Sequence, residues 1–183
     1  RCRGWLTDTL EDVNGVARTI RTMAAAGRNQ GADLTILTSR PNLPEEEGVK
    51  NFAPVGVFTI PEYELQKLSF PPILEVVDHV ARRGYTELIL STPGPMGLTG
   101  LLAGKLLGLR VSAIYHTDFP QYARFLSDDD PMMEGMAWNY MQWFYSQMDR
   151  VYVNSQKYFD RWVERGLAPE KLRILPRGLD TAG

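Results

Sequence analysis

The sequence is short of several things. It has one cysteine, Cys2, near one end. No internal disulfide can staple the chain, which fits a reducing compartment. It has no basic excess: 20 lysines and arginines face 22 acids, a formal net charge of −2. General nucleic-acid binding is therefore not expected. No apolar run approaches the length of a membrane span. The opening RCRGWLTD has no apolar core of signal-peptide type. No internal repeat or low-complexity segment is visible. What remains is an ordinary globular composition, 44% hydrophobic and 23% charged. A chain of 183 residues suffices for one domain that buries roughly 70% of its unfolded surface. The first motif begins close to one end, and PRGLDTAG closes the chain directly after a predicted strand. Residues 1–183 are therefore expected to be one part of a longer protein.

Strand and helix patterns alternate along it. Strands are predicted over Gly4–Leu6, Asp33–Thr38, Val55–Ile60, Glu87–Leu90, Val111–Tyr115, Arg150–Val153 and Leu172–Leu175. Helices are predicted over Asn14–Arg28, Pro71–Arg83, Leu98–Leu107, Pro131–Met148 and Ser155–Arg165. Proline suits the first turn of the second helix and Gly84 its stop, while Ser155 is a cap. Residues 40–48, rich in proline and glutamate, read as a loop. Leu98, Leu101, Leu102 and Leu106 are expected to face inward. Met133, Met136, Tyr140, Met141 and Phe144 form the expected core stripe of the long helix, with Trp138 and Tyr145 on a second face. That second face is read as burial on two sides rather than as a docking surface. His79 is read as a surface residue. Short apolar strands alternating with helices predict an α/β fold, a doubly wound and mostly parallel sheet.

Two segments carry chemistry. Asn14-Gly15 stands at the mouth of a helix. A glycine there lets the backbone approach a ligand, and the free helix amides attract anions. YHTDFP places His116 just past the predicted strand ending at Tyr115, with Asp118 close by. An imidazole there can donate a hydrogen bond to a hydroxyl or act as acid or base near neutral pH. Both places fall on the carboxyl edge of a parallel sheet, where ligands bind. Gly94, Gly97 and Gly100 open another helix. Leu106 follows Gly104-Lys105 where a P-loop needs serine or threonine. This run reads as close helix–sheet packing, with a minor ligand contact assigned to Gly97. The acids Asp128, Asp129 and Asp130 precede Pro131 and are read as a helix start, not as a metal site.

Four segments in this order resemble the N-terminal lobe of a B-type glycosyltransferase of the retaining family 4, especially its bacterial α-mannosyltransferase-like members. They are TDT with DVNGVART (Thr7 to Thr19), TPGPMGLTGLLAGKLLGLRV (Thr92 to Val111), YHTDFPQYARF (Tyr115 to Phe125), and RVYVNSQKYFDRWVERG with LRILPRGLDT (Arg150 to Gly166 and Leu172 to Thr181). The resemblance implies a Rossmann-like, acceptor-side lobe over residues 1–183, with the nucleotide-sugar-binding domain outside this chain. It implies that Asn14, Gly15, Gly97 and Arg177 lie toward the donor. It places His116 against the donor sugar near the reacting centre, and Asp118, Tyr122 and Arg124 on the acceptor side. The donor it implies is a UDP- or GDP-hexose, and the acceptor a glycan, lipid or polyol. It implies no cofactor and no metal, and a fragment inactive by itself. A cytoplasmic site is expected, with association at the inner membrane face left open. Leu10-Glu11-Asp12 stand where relatives often carry a proline-rich stretch. The competing readings are a sugar-nucleotide epimerase lobe and a non-catalytic α/β binding module.

Overall fold

The computed structural model describes residues 2–8, 21–22, 24–27, 29, 31, 33–41, 47–60, 63–91, 93–115 and 131–174, with backbone alone at 58–60, 63–68 and 133–134. Strands are β1 (Cys2–Leu6), β2 (Asp33–Thr38), β3 (Val49–Asn51), β4 (Gly56–Ile60), β5 (Tyr63–Phe70), β6 (Glu87–Leu90), β7 (Arg110–Ile114), β8 (Arg150–Val153) and β9 (Leu172–Ile174). Helices are α1 (Ile73–Arg83), α2 (Pro95–Leu107), α3 (Pro131–Ser146) and α4 (Gln156–Glu164). Residues 21, 22, 24–27 and 29 are also helical.

One seven-stranded sheet has the order β3-β2-β1-β6-β7-β8-β9, and all its pairings are parallel. The expected α/β, doubly wound sheet is thus found. The order runs one way from β1 through β2 to β3 and the other way from β6 to β9. The reversal makes β1 and β6 the switch point. Right-handed crossovers in opposite directions put helices on opposite faces. Ala24 accordingly packs with Trp5, Leu34, Ile36 and Ile114. Buried residues of α1 to α4 cluster instead with Leu6, Leu37, Leu88, Leu90, Val111, Val151 and Val153. Leu88 and Leu90 point one way and Ile89 the other, the period-two alternation of a sheet covered on both sides.

Several local expectations hold. Gly84 ends α1 at φ 67°, where a side chain would be strained. The Ser155 side chain accepts the Tyr158 amide at the start of α4. The second apolar face of α3 is filled from within the chain. Tyr145 is fully buried against Trp162, with ring centroids 5.2 Å apart. Trp138 lies 6.0 Å from the same indole and carries Arg165 stacked 3.8 Å above its ring.

Other expectations are corrected. In α2 the inward face is Met96, Gly97, Thr99, Gly100, Leu101, Ala103 and Gly104. Leu98, Leu102 and Leu106 are exposed. The helix lies too close to the sheet for leucines there: a Cβ on Gly100 would stand 2.5 Å from Leu90, and one on Gly104 would strike Val111. Both faces of the helix are apolar, so periodicity could not choose between them. Met136 of α3 is exposed, while Tyr145 and Met148 join Met141 and Phe144 in the core. His79 is half-buried, edge-on to Phe52 at 5.3 Å and 3.3 Å from the Tyr85 hydroxyl. Burial first, then the charges of Lys50 and Arg83, hold it below the usual imidazole value. Cys2 is part of β1. It pairs in register with Asp33, and its carbonyl accepts the Thr86 amide at 2.8 Å. Its thiol is pushed up, chiefly by burial and by a hydrogen bond to Asp33.

Two strands lie outside the sequence reading. β3 is only VKN, within a polar, glycine-bearing stretch. β5, YELQKLSF, pairs antiparallel with β4 in a separate two-stranded sheet. Its mixed sequence alternation hid it.

Candidate functional site

The carboxyl ends of the central strands carry a polar layer. Beyond β1 come Thr7 and Asp8, and beyond β2 come Ser39 and Arg40. Ser91 follows β6, and Tyr115 follows β7. Thr7, Thr38, Ser39, Arg40 and Ser91 are all buried. Burial requires partners for such groups, and the backbone supplies many of them. The Thr7 amide donates to the Leu37 carbonyl and the Ser91 amide to the Leu6 carbonyl, each at 3.0 Å. The Ser39 hydroxyl donates to the Phe52 carbonyl at 2.8 Å. Arg40 and Asn51 exchange a reciprocal pair: the Arg40 amide donates to Asn51 Oδ1 at 2.8 Å, and Asn51 Nδ2 donates to the Arg40 carbonyl at 3.0 Å.

Asp8 is the centre of this layer. Its Oδ1 accepts the Met96 amide at 2.7 Å, and its Oδ2 accepts the Gly97 amide at 3.4 Å. These are first-turn amides of α2, which lack partners inside the helix. The Asp8 carbonyl accepts Arg40 Nη1 at 3.4 Å. From α3, the Tyr140 hydroxyl donates to the Pro93 carbonyl. Tyr140 is pushed up to about 12, chiefly by burial and then by the negative charge of Asp8. The exit of β1, the β6–α2 junction and α3 therefore meet at the switch point.

Gly97 lies in this cluster, buried, with its amide on Asp8. Asn14, Gly15, His116, Asp118, Tyr122, Arg124 and Arg177 lie outside the described residues, as do Asp128, Asp129 and Asp130. The structure does place the strands that lead to the two sequence motifs. β1 and β7 flank β6, so their ends share one edge about 10 Å apart. Tyr115, the residue before His116, is held by backbone and ring contacts. The Tyr115 amide donates to the Tyr152 carbonyl at 2.8 Å, extending the pairing with β8. Its ring is boxed by Tyr145, Tyr158 and Trp162 at 5.9, 5.6 and 5.2 Å. Burial pushes the Tyr115 phenol up to about 12, so it stays neutral at ordinary pH. Among the described residues, no group of three or more histidines, cysteines or acids is placed to hold a metal ion.

Asp8, Arg40 and Tyr140 were not singled out by the sequence as part of the site. Asp8 stands next to a strand end, which is the signal available for it. Its amide partners lie 88 and 89 residues away, and no local pattern announces them.

A family model, Glycosyltransferase Family 4, matches residues 13–182. A GDP-mannose-dependent alpha-mannosyltransferase of Mycobacterium tuberculosis (strain CDC 1551 / Oshkosh) is 24% identical over 175 residues, covering 93% of this chain and 45% of that protein. An alpha-monoglucosyldiacylglycerol synthase of Streptococcus pneumoniae (strain ATCC BAA-255 / R6) is 25% identical over 184 residues, covering 98% and 41%. The chain thus spans less than half the length of these curated relatives. Among solved structures, Anabaena HepE in complex with UDP and glucose superposes with a TM-score of 0.60 at 14% identity, over 94% of this chain and 43% of that one. Several UDP-N-acetylglucosamine 2-epimerases share the fold at 7 to 11% identity, a likeness of architecture alone.

Proposed function

This chain belongs to Glycosyltransferase Family 4, and on that premise we propose that its parent protein transfers a hexose from a nucleotide sugar to an acceptor hydroxyl, with retention. The observation that carries the reading is the family match over residues 13–182. The polar layer at the switch point supports it, because ligands of doubly wound sheets bind there. Residues 1–183 are the acceptor-side lobe. A second lobe grips most of the nucleotide, so the isolated chain does not turn over. GDP-mannose and UDP-glucose are the first donors to test. One relative is named for GDP-mannose, and a structural neighbour holds UDP and glucose.

Each group has a role in this proposal. The loop at Asn14 and Gly15 faces the donor diphosphate, with Arg177 adding positive charge. His116 contacts the donor sugar beside the anomeric carbon. Asp118, Tyr122 and Arg124 orient the acceptor. Gly97 contributes less than the other donor-side residues, since its amide already serves Asp8. The acceptor oxygen forms its bond to the anomeric carbon on the face that the phosphate leaves. The carbon–oxygen bond to phosphate breaks, and the acceptor proton passes to the departing phosphate oxygen. Fixed amides and basic side chains stabilise the developing charge without a metal. The reaction is placed in the cytoplasm.

The full-length protein, incubated with each donor and a panel of glycan, lipid and polyol acceptors, tests this. The expected product is a glycoside with the donor's anomeric configuration, lost in a folded His116→Ala variant. An inverted product would remove retention, and full activity in His116→Ala would remove that residue. A free 2-epimer with no new glycosidic bond would replace the reading with an epimerase.

A further inference from the structure

Four helices cover one face of the sheet in the row α1-α2-α3-α4. α1 packs against α2. α3 reaches the start of α2 through the Tyr140 hydroxyl on the Pro93 carbonyl, and it meets α4 at Trp162. The outer two helices turn charge to water. On α1 the exposed Asp78 and Arg82 form an ion pair at 3.0 Å, and on α4 Asp160 and Arg161 are exposed. The inner two helices turn apolar side chains to water instead. Leu98, Leu102 and Leu106 recur every fourth residue of α2, on the side away from Gly100 and Gly104, which touch the sheet. Met132, Met136 and Trp143 run along α3 opposite the buried Met141 and Phe144. Met132 is 74% exposed, Leu106 66% and Met136 57%, so little of the chain covers this row. The only charged residue of α2 is Lys105, and that of α3 is Glu134.

The exposed parts of these six side chains, on residues of about 200 Å² each, leave roughly 600 Å² of apolar surface in water. That reaches the upper end for an ordinary monomer, whose largest patch is about 300–600 Å². A standard interface takes about 800 Å² from each partner, and in homodimers about 65% of it is apolar. The inner helices supply that apolar share, and the outer two supply a polar rim. We propose that this face joins two copies of the parent protein about a twofold axis, α2 and α3 of one copy against α2 and α3 of the other. A twofold interface sets a patch against itself, so the patch must not repel its own copy. Here Lys105 and Glu134 balance, and each rim carries both signs. A bilayer fits less well. Helices that dock on anionic membranes border their apolar face with lysine and arginine, whereas acids stand beside bases on α1 and α4. The inference stands apart from the transferase reading. Each copy folds by itself, so association is reversible, and unfolding in dilute protein reads one copy alone.

Sedimentation equilibrium of the full-length protein from about 1 to 100 μM tests this. The parent should pass from one to two copies per particle within or below that range. Leu102→Asp and Met136→Asp each place a charge at the centre of the face. Each should weaken association by about tenfold or more, with circular dichroism unchanged. Ile174→Asp, on an exposed apolar residue of the edge strand β9, should leave association as it is. Where a charged variant does not fold, Leu102→Ser combined with Met136→Ser should weaken association by about fivefold or more. A parent that stays single at the top concentration would overturn the proposal without any variant. So would a single species that binds vesicles of phosphatidylcholine and phosphatidylglycerol, which would assign the face to a bilayer. Folded variants that associate as the parent does would place the contact on another surface and overturn it too. No donor is needed for this readout, so failure of the transferase reading leaves it standing.

Discussion

The indole of Trp162 stands edge-on to the ring of Tyr115, centroids 5.2 Å apart and planes at 83°. The contact joins α4 to the residue that immediately precedes His116. Edge-to-face pairs of this kind add about 0.5–1.5 kcal/mol to ordinary burial. Trp162 is buried and also touches Trp138 and Tyr145. Trp162→Ala should therefore cost about 3–5 kcal/mol in urea unfolding. Trp162→Phe should cost less, because the indole nitrogen has no hydrogen-bond partner among the described residues. Equal losses for the two would deny the cluster its place in the core.

Tyr145 allows a sharper test. Its ring is packed by Tyr115, Phe144 and Trp162, and its buried hydroxyl has no partner among the described residues. A buried hydroxyl without a partner is a net cost. Tyr145→Phe should leave stability unchanged or raise it by about 1 kcal/mol. A clear loss would show that the hydroxyl is bonded.

The packing of α2 predicts an inverted pattern of sensitivity. Gly100→Ala and Gly104→Ala, the smallest changes available, should each cost about 1–3 kcal/mol through overpacking. Leu102→Ser and Leu106→Ser, on the outer face, should stay within about 0.5–1 kcal/mol of the parent. Thermal or urea unfolding of the four variants reads this directly.

Gly94 and Asp8 should be coupled: a Cβ on Gly94 would stand 2.6 Å from Asp8 Oδ2. Gly94→Ala drives a methyl against the carboxylate and dislodges the cap, at a cost of about 1–2 kcal/mol. In an Asp8→Ala background the clash is gone, and the same substitution should cost much less. Strict additivity in this double-mutant cycle would refute the contact.

His79 gives a pH dependence. Its folded value lies below the ordinary imidazole value of 6.5, chiefly through burial and then through Lys50 and Arg83. The unfolded chain therefore binds this proton more readily. Its contribution leaves stability undiminished above pH 6.5, lowers it as pH falls through that value, and levels off below the folded one. Urea midpoints from about pH 8 to pH 5 should show this slope, and His79→Gln should flatten it.

Much of the architecture was legible because the sheet is buried on both sides. β2, β6 and β8 announce themselves as short apolar runs between turns, and the Ser155 cap and Gly84 stop mark helix ends. Amphipathic contrast failed where both faces were apolar, as in α2, and where polar and apolar residues alternate irregularly, as in the YELQKLSF of β5. The candidate site was readable as far as its strands: β1 and β7 lead to the two motifs and end on one edge. Asp8 was not readable as a cap. Its interaction with Met96 exists only after β1 and β6 have become neighbours.

The strand order also sets a timetable for biosynthesis. β1 lies between β2 and β6, so one flank is satisfied by residues 33–38 and the other only by residues 87–90. While the ribosome is still making the stretch between them, Trp5 and Leu6 have half a sheet and an open edge. Exposed strand edges of nascent chains are where misassembly begins. A translational pause before the codon for Glu87 should therefore lower the yield of native protein more than a pause placed after the codon for Ile114.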